Sequence, residues 1–526
     1  MNKRNLFGEY IMKYDVIVVG AGSAGSIVAT RLTEDPSRSV LLLESGPDYD
    51  DIDKLPEEVK FGYATGTDVM VSDHNWQFLG QPTSIAQPMM VPRGKVTGGS
   101  SAINGQMFLR GIPEDYDTWA SWGNDEWQYE KLLPYFRQLE TDTDFSDDFH
   151  GTDGPIIVRR FKESDMHVAS TAFKNSALAA GHLESPDLNN PDSEGLSPTP
   201  LNNPNGIRWS TNLGYLSLSR HRLNLTIRAN CDVQRILFEG KKAVGLVVKS
   251  GGETFTVEAD NIILSGGAIA SPQILMLSGV GPSEHLSEHG IDLVHHLPGV
   301  GSNLRDHPIV PISFRTKPEV PLEGLAPRQQ YVLRYTAEGS DLRNDMIIIF
   351  QNFCTERVDR GGTRMDGYGV RMTLSLYLAK SSGRLTLQSN DASVQPFLNY
   401  NYFDEEFDRI RMREGILKCL DLAKHPDFSK MVEEVVEPLP KDLASDDALD
   451  EWMMKEATTG HHISGTCKMG PSTDEMAVVS QYGKVHGIEN LRVIDASIMP
   501  DCIRANTNVT TMMIGERLSD LISSEM

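Results

Sequence analysis

The feature that most constrains this chain stands near its start. Tyr14 to Val19 (YDVIVV), a short β-branched apolar run, passes directly into Gly20, Gly22 and Gly25 of a G-x-G-x-x-G loop. An apolar run without polar alternation is the pattern of a strand buried on both faces of a parallel sheet. Ser26 to Leu32 then reads as a helix, Asp35-Pro36 breaks it, and a second apolar strand, Val40 to Leu43, ends at Glu44. The whole is one βαβ unit. Glu44 follows Gly25 by 19 positions, near the ~20 at which an acid accepts from ribose hydroxyls. Glycine permits the tight turn, lets backbone N–H groups approach a pyrophosphate and lets the helix pack closely, while the helix N-terminus favours the phosphate charge. The pattern predicts a dinucleotide site on Gly20, Gly22, Ser23, Ala24, Gly25 and Glu44 and does not distinguish FAD from NAD.

At 526 residues the chain exceeds one ordinary domain of ~100–200 residues, so more than one lobe is expected. A net charge of −24 argues against nucleic acid or anionic lipid as partner, and no apolar run is long enough to span a membrane. Five widely spaced cysteines without a C-x-x-C pair disfavour a disulfide framework and a structural zinc site; a reducing, cytoplasmic setting is expected. No function is assigned to residues 1–11. From Pro47 to Arg160 the pattern is irregular, with a helix predicted near Trp127 to Leu139, and so long an irregular stretch marks functional loops. Leu225 to Arg228, Val233 to Phe238, Ala243 to Lys249 and Thr254 to Val257 read as an antiparallel meander, and Asn261 to Leu264 as a further buried strand. A helix over Ser271 to Leu277 is expected to be capped by Ser271, with Pro272 at its first position. Between about Asp306 and Val485 alternating stretches mix with polar helical segments, the mark of a separate lobe. Leu491 to Ile494 and Thr510 to Ile522 return to the buried strand and helix style.

Two further segments carry chemistry. Gly94 to Asn104 (GKVTGGSSAIN) is a glycine-serine turn whose backbone can pass close to a flat polar ring. In HHISGTCKMG, His462 precedes Asn506 by 44 positions. Any reaction that removes a hydroxyl proton needs a base of near-neutral pKa and a hydrogen-bond donor for the oxygen left behind. Histidine suits the first role and an asparagine amide the second.

The glycine-serine turn, with Gly111 and Asp117 beyond it, resembles the first signature of the glucose-methanol-choline family of flavin oxidoreductases, with Thr97 replacing the usual aliphatic residue. Gly267 to Gly281 resembles the second signature at every defined position, and Asn303, Asp306, His307, Pro308 and Asp495 also resemble family segments near the flavin. The resemblance runs from about residue 14 to 523 and is weakest over 310–450. It implies an α/β fold in which a Rossmann-type FAD-binding domain (12–160, 220–305, 485–526) is interleaved with a sheet-plus-helices substrate domain (161–219, 306–484). It also implies His462, rather than His461, as the base with Asn506 as its partner. To the cofactor set it adds Gly98, Ser101, Asn104, Val233, Asp495, Ala496 and Asn506. Ile103 stands where some relatives carry a histidine that bonds FAD, so the cofactor is expected to be non-covalent. The expected reaction is oxidation of an alcohol, primary on family grounds, to a carbonyl compound, with molecular oxygen or another acceptor taking the electrons. Sugar or choline-type dehydrogenation and a hydroxynitrile lyase with structural FAD are the alternatives. Substrate identity and oligomeric state stay open. His295-His296, Cys467 and Cys502 are read as packing or surface residues, the acidic stretches Asp48 to Asp53 and Asp142 to Asp148 as solvated loops, and no metal site is expected.

Overall fold

The computed structural model describes residues 13–61, 66–320, 328–353 and 369–525; residues 1–11 and Cys354 lie outside them. In chain order the elements that position the site are β1 (Lys13–Val19), α1 (Gly25–Leu32), β2 (Val40–Leu43), β3 (Gly195–Pro198), β4 (Leu225–Arg228), β5 (Asp232–Glu239), β6 (Lys242–Ser250), β7 (Glu253–Leu264), α2 (Gly267–Leu277), β8 (Pro308–Thr316), β9 (Gln329–Tyr335), β10 (Met346–Gln351), β11 (Gly369–Leu376), α3 (Glu406–Leu422), β12 (Val432–Glu437), β13 (Thr458–Thr459), β14 (Leu491–Val493) and α4 (Thr507–Glu525). They form two large sheets, a mixed α/β architecture.

The first sheet has the order β4-β2-β1-β7-β6-β5, with β14 paired to the C-terminal part of β7. Its β4, β2, β1, β7 and β14 are parallel, and the apolar runs of β2 and of the second half of β1 are buried throughout. Two expectations change here. Leu225–Arg228 pairs in parallel with Val40–Leu43 at the far edge, so it is not part of the meander, which consists of β5, β6 and β7 alone. Thr254–Val257 and Asn261–Leu264 are one strand: the N-terminal half of β7 pairs with β6 and its C-terminal half lies between β1 and β14. The helix after it begins at Gly267, so Ser271 and Pro272 lie one turn inside; the Ser271 hydroxyl accepts from Gly266 N–H (3.1 Å) and donates to Asp495 Oδ2 (2.6 Å).

The second sheet, β12-β8-β11-β10-β9-β3 with β13 on β8, is antiparallel throughout. Within 161–219, Gly195–Pro198 joins this sheet, whereas Asn212–Leu216 packs on α1 beside the first. The terminal helix α4 also packs on α1. Gly515 allows the approach, since a Cβ there would lie 3.2 Å from Ala24 O and Ile27 Cβ, and Arg31 grips Glu516 through two bonds of 2.7 and 2.9 Å.

The stretch Asp142 to Asp148 is not wholly solvated. Asp142 is buried, bound by Arg160 Nη1 at 2.9 and 3.0 Å, and Arg160 also pairs with Asp187. Glu140 pairs with Arg110 at 2.6 Å, and His150 lies between Asp147 (2.7 Å) and Asp187 (3.4 Å). A run of acids looks the same in sequence whether its partners are water or distant arginines. Glu140, Asp142 and His150 stand within 4.8 Å of one another, with the two guanidinium groups already among them.

Candidate active site

The glycine loop is fixed by contacts that exclude side chains. A Cβ on Gly25 would run into the carbonyl oxygen of Gly20, which ties the start of α1 to the end of β1. Gly99, at φ +52°, crosses Gly22 so closely that a Cβ on it would lie 2.6 Å from Gly22 Cα. Gly98 N–H donates to Ala21 O at 2.7 Å, joining the two glycine loops. The Cβ position of Gly22, in contrast, meets nothing nearer than 3.8 Å. Glu44 ends β2 buried, and its carboxylate accepts from Ala21 N–H and Gly46 N–H, both at 2.9 Å. Burial raises its pKa to about 7 against the pull of those two donors. Ser23 Oγ donates to Asn508 Oδ1 at 2.7 Å, and the buried Asn508 Nδ2 has no partner among the described residues. Asp495 accepts from Gly267 N–H, Ser271 Oγ, Ser497 N–H and Ser497 Oγ, which staples the start of α2 to the segment after β14.

At the other end, His462 Nε2 lies 3.0 Å from Asn506 Nδ2, and its Nδ1 lies 2.8 Å from His307 Nδ1. Tyr377 Oη donates to Asn506 Oδ1 at 3.4 Å, which turns the amide nitrogen toward His462. With that amide donating, His462 Nε2 holds a lone pair and the ring proton sits on Nδ1, facing an accepting His307. His307 stacks on Tyr377 with centroids 4.1 Å apart. The backbone of both histidines is held by the buried Asp306: Oδ1 accepts from His307 N–H and His462 N–H at 2.8 Å each. Its Oδ2 accepts from Tyr402 Oη (2.6 Å) and Thr459 Oγ1 (2.5 Å). Burial, with His307, His461 and Arg93 adding repulsion, holds His462 well below the usual histidine range, so it stands neutral. The neighbouring His461 is exposed, borders the same cavity and takes φ +67°, its carbonyl bound by Arg93. Burial pushes the thiols of Cys467 and Cys502 up, so both are inert packing residues.

One cavity of about 1490 Å³ joins these ends. Gly20, Gly22, Ser23, Ala24, Glu44, Asn104, Val233, Asp495, Ala496, His462 and Asn506 border it. Gly25, Gly98 and Ser101 do not: Gly25 packs helix on strand, Gly98 turns the loop at φ +94°, and Ser101 Oγ is spent on Gly98 O (2.6 Å) and Thr211. Sequence reasoning missed Asn508, Arg93 and Tyr377. Asn508 lay within reach, two residues past Asn506, but nothing marks an asparagine at a helix start as facing a cavity. Arg93 adjoins the glycine-serine turn, and Tyr377 lies in the least similar stretch.

The family description GMC oxidoreductase matches this chain twice, its N-terminal part over residues 14–309 and its C-terminal part over 379–515. The chain belongs to the GMC oxidoreductase family. A GMC relative, oxygen-dependent choline dehydrogenase 1 of Chromohalobacter salexigens, is 36% identical over 97% of this chain and 95% of that protein. The oxygen-dependent choline dehydrogenase of Escherichia coli O139:H28 is 36% identical over 98% and 96%. Among solved structures, pyridoxine 4-oxidase from Mesorbium loti superposes with a TM-score of 0.89 at 25% identity, covering 97% of this chain and 99% of that one. A formate oxidase does so with a TM-score of 0.89 at 26% identity, covering 98% of both chains. As a GMC protein this chain is an FAD-dependent oxidoreductase acting on CH–OH donors. Among the described residues no helix is long and apolar enough to cross a membrane.

Proposed function

We propose that this enzyme oxidises an alcohol, a primary one in our reading, to an aldehyde or ketone, with His462 as base. The contact of His462 Nε2 with Asn506 Nδ2, on the wall of the large cavity, carries this reading. Neutral His462 offers Nε2 to a substrate hydroxyl, and the protonated ring still donates from Nδ1 to neutral His307, which supports the new charge. Asn506 Nδ2–H can then stabilise the developing alkoxide. The residues present fit FAD: the open Gly22 face, Ser23 with the unpartnered Asn508 amide, and Glu44 at the end of the first βαβ unit all border the cavity, as do Val233, Asn104, Asp495 and Ala496. When bound, FAD supplies the two-electron acceptor that no side chain offers. The first sheet with its helices would hold the cofactor and the second would cover the substrate, which leaves the active site at their seam. Ile103 borders the cavity with a side chain that forms no bond to a flavin, so binding is non-covalent. The acceptor is molecular oxygen or a substitute for it, in keeping with the oxygen-dependent relatives. The buried free thiols fit a reducing, cytoplasmic setting.

Two measurements test this. Anaerobic flavin reduction by alcohols should fall about 10²–10⁴-fold in His462→Ala and less in Asn506→Ala; an unchanged rate in His462→Ala overturns the assignment, and alcohols that never bleach the flavin favour the lyase reading. After acid precipitation the yellow colour should stay in solution; colour in the pellet would show a covalent link.

A further inference from the structure

Asn506 stands immediately before α4, where an asparagine ordinarily turns its side-chain oxygen back to accept from an N–H of the helix's first turn. Here it does not. Its Oδ1 accepts from Tyr377 Oη at 3.4 Å and, among the described residues, from no helix N–H. The nitrogen at the other end of the amide carries two hydrogens, and both have acceptors: His462 Nε2 at 3.0 Å and Met107 Sδ at 3.9 Å. Every polar group of this amide is therefore engaged by a side chain that borders the cavity, and the capping bond that would have stabilised α4 is forgone.

Both holders are themselves fixed. Tyr377 is fully buried, stacks on His307 with centroids 4.1 Å apart and donates its backbone N–H to Asp345 O at 2.8 Å. Met107 is buried, and its backbone bridges to Leu201. A thioether is a weak acceptor, so it can set the tilt of the amide plane without competing with an incoming oxygen for the other N–H. Two other orientations are open to the amide, and neither serves the reaction. Turned end for end, it would present oxygen to His462 Nε2, which must then carry a proton and ceases to be a base. Swung back onto α4, it would leave the cavity. Resting on the roles given to His462 and Asn506 above, we propose that Tyr377 and Met107 are positioning residues that keep the Asn506 amide off the helix and its nitrogen toward the substrate oxygen.

The test uses the FAD-loaded enzyme and anaerobic flavin reduction by whichever of benzyl alcohol, 1-hexanol and choline reduces it fastest. Tyr377→Phe keeps the stacked ring and loses only the hydroxyl, while Met107→Leu keeps the volume and loses the acceptor. The limiting rate should fall about tenfold in the first and about threefold in the second, as expected for losing one hydrogen bond and one weaker contact. The alcohol concentration at half-saturation should stay nearly unchanged. The thermal midpoint of Tyr377→Phe should equal or exceed that of the parent, because the freed amide can cap α4. In an Asn506→Ala background neither substitution should slow reduction further, since the group they hold is gone. Full losses persisting in that background, or a midpoint of Tyr377→Phe that drops in step with its rate, overturn the inference while leaving the role of His462 intact. If no alcohol bleaches the flavin, it is the hydride-transfer reading that fails, and a crystal structure of Tyr377→Phe decides the inference. An amide oxygen moved onto His462 or onto an N–H of α4 supports it; an amide still donating to His462 overturns it.

Discussion

Asp306 shows how a residue can govern an active site without touching the chemistry. One carboxylate oxygen gathers the N–H groups of His307 and His462, residues 155 apart in sequence and adjacent in space, while the other is held by Tyr402 and Thr459. In Asp306→Asn an amide N–H must face either two N–H donors or two hydroxyls that now donate. The expected cost is about 1–3 kcal/mol of stability, with flavin reduction slowed at least tenfold and FAD affinity changed far less; equal losses in both would mean a general packing role. The sequence marked Asp306 by its surroundings, but its role was illegible because it works through backbone donors supplied by two distant segments. The H-x-x-G-T pattern points to His462, and its ring lies between Asn506 and His307; the neighbouring His461 sits at φ +67° with its carbonyl bound by Arg93.

At the level of elements, periodicity located β1, α1, β2 and α4 within a few residues, since each is dominated by burial of one continuous apolar run. It failed where one element serves two partners. β7 reads as two strands because Glu258 to Asp260 interrupts its apolar pattern, yet those polar residues lie where it passes from β6 to β1 and β14. Leu225–Arg228 was placed in the meander because only sequence proximity argued for its partner; a parallel crossover leaves no local trace. The crossing of α1 and α4 gives an element-scale prediction. Gly515→Val puts branched carbons where even a Cβ would lie 3.2 Å from Ala24 O, so stability should fall by about 1–3 kcal/mol. FAD affinity should fall with it, since α1 carries the glycine loop; thermal midpoints and flavin titration check both.

For the whole molecule, charge is uneven: a chain of net charge −24 buries arginines in compensated clusters. Around His150 stand Glu140, Asp142, Asp147 and Asp187 with Arg110 and Arg160. Burial alone would depress His150, but hydrogen bonds to Asp187 and Asp147 outweigh it and raise the pKa. His150 therefore stabilises the fold fully below its unfolded value of about 6.5 and loses that contribution as pH rises through the raised value. Asp187, held low by His150 and Arg160 against burial, acts oppositely, its contribution vanishing as acid protonates it. The gap in thermal midpoint between the parent enzyme and His150→Gln should narrow steadily from pH 6 to 9; a gap independent of pH would show that His150 is uncharged in the fold. The path of the chain through the two sheets also has a consequence for its parts. Asn506 and Asn508 stand at the start of α4; Asn508 bonds Ser23 of the glycine loop that opens α1, while Asn506 faces His462. Ser23 and Asn508 are 485 residues apart, so any fragment that carries the glycine loop without α4 exposes a hydroxyl whose acceptor is missing, and the cradle cannot be cut out of the chain as one continuous piece.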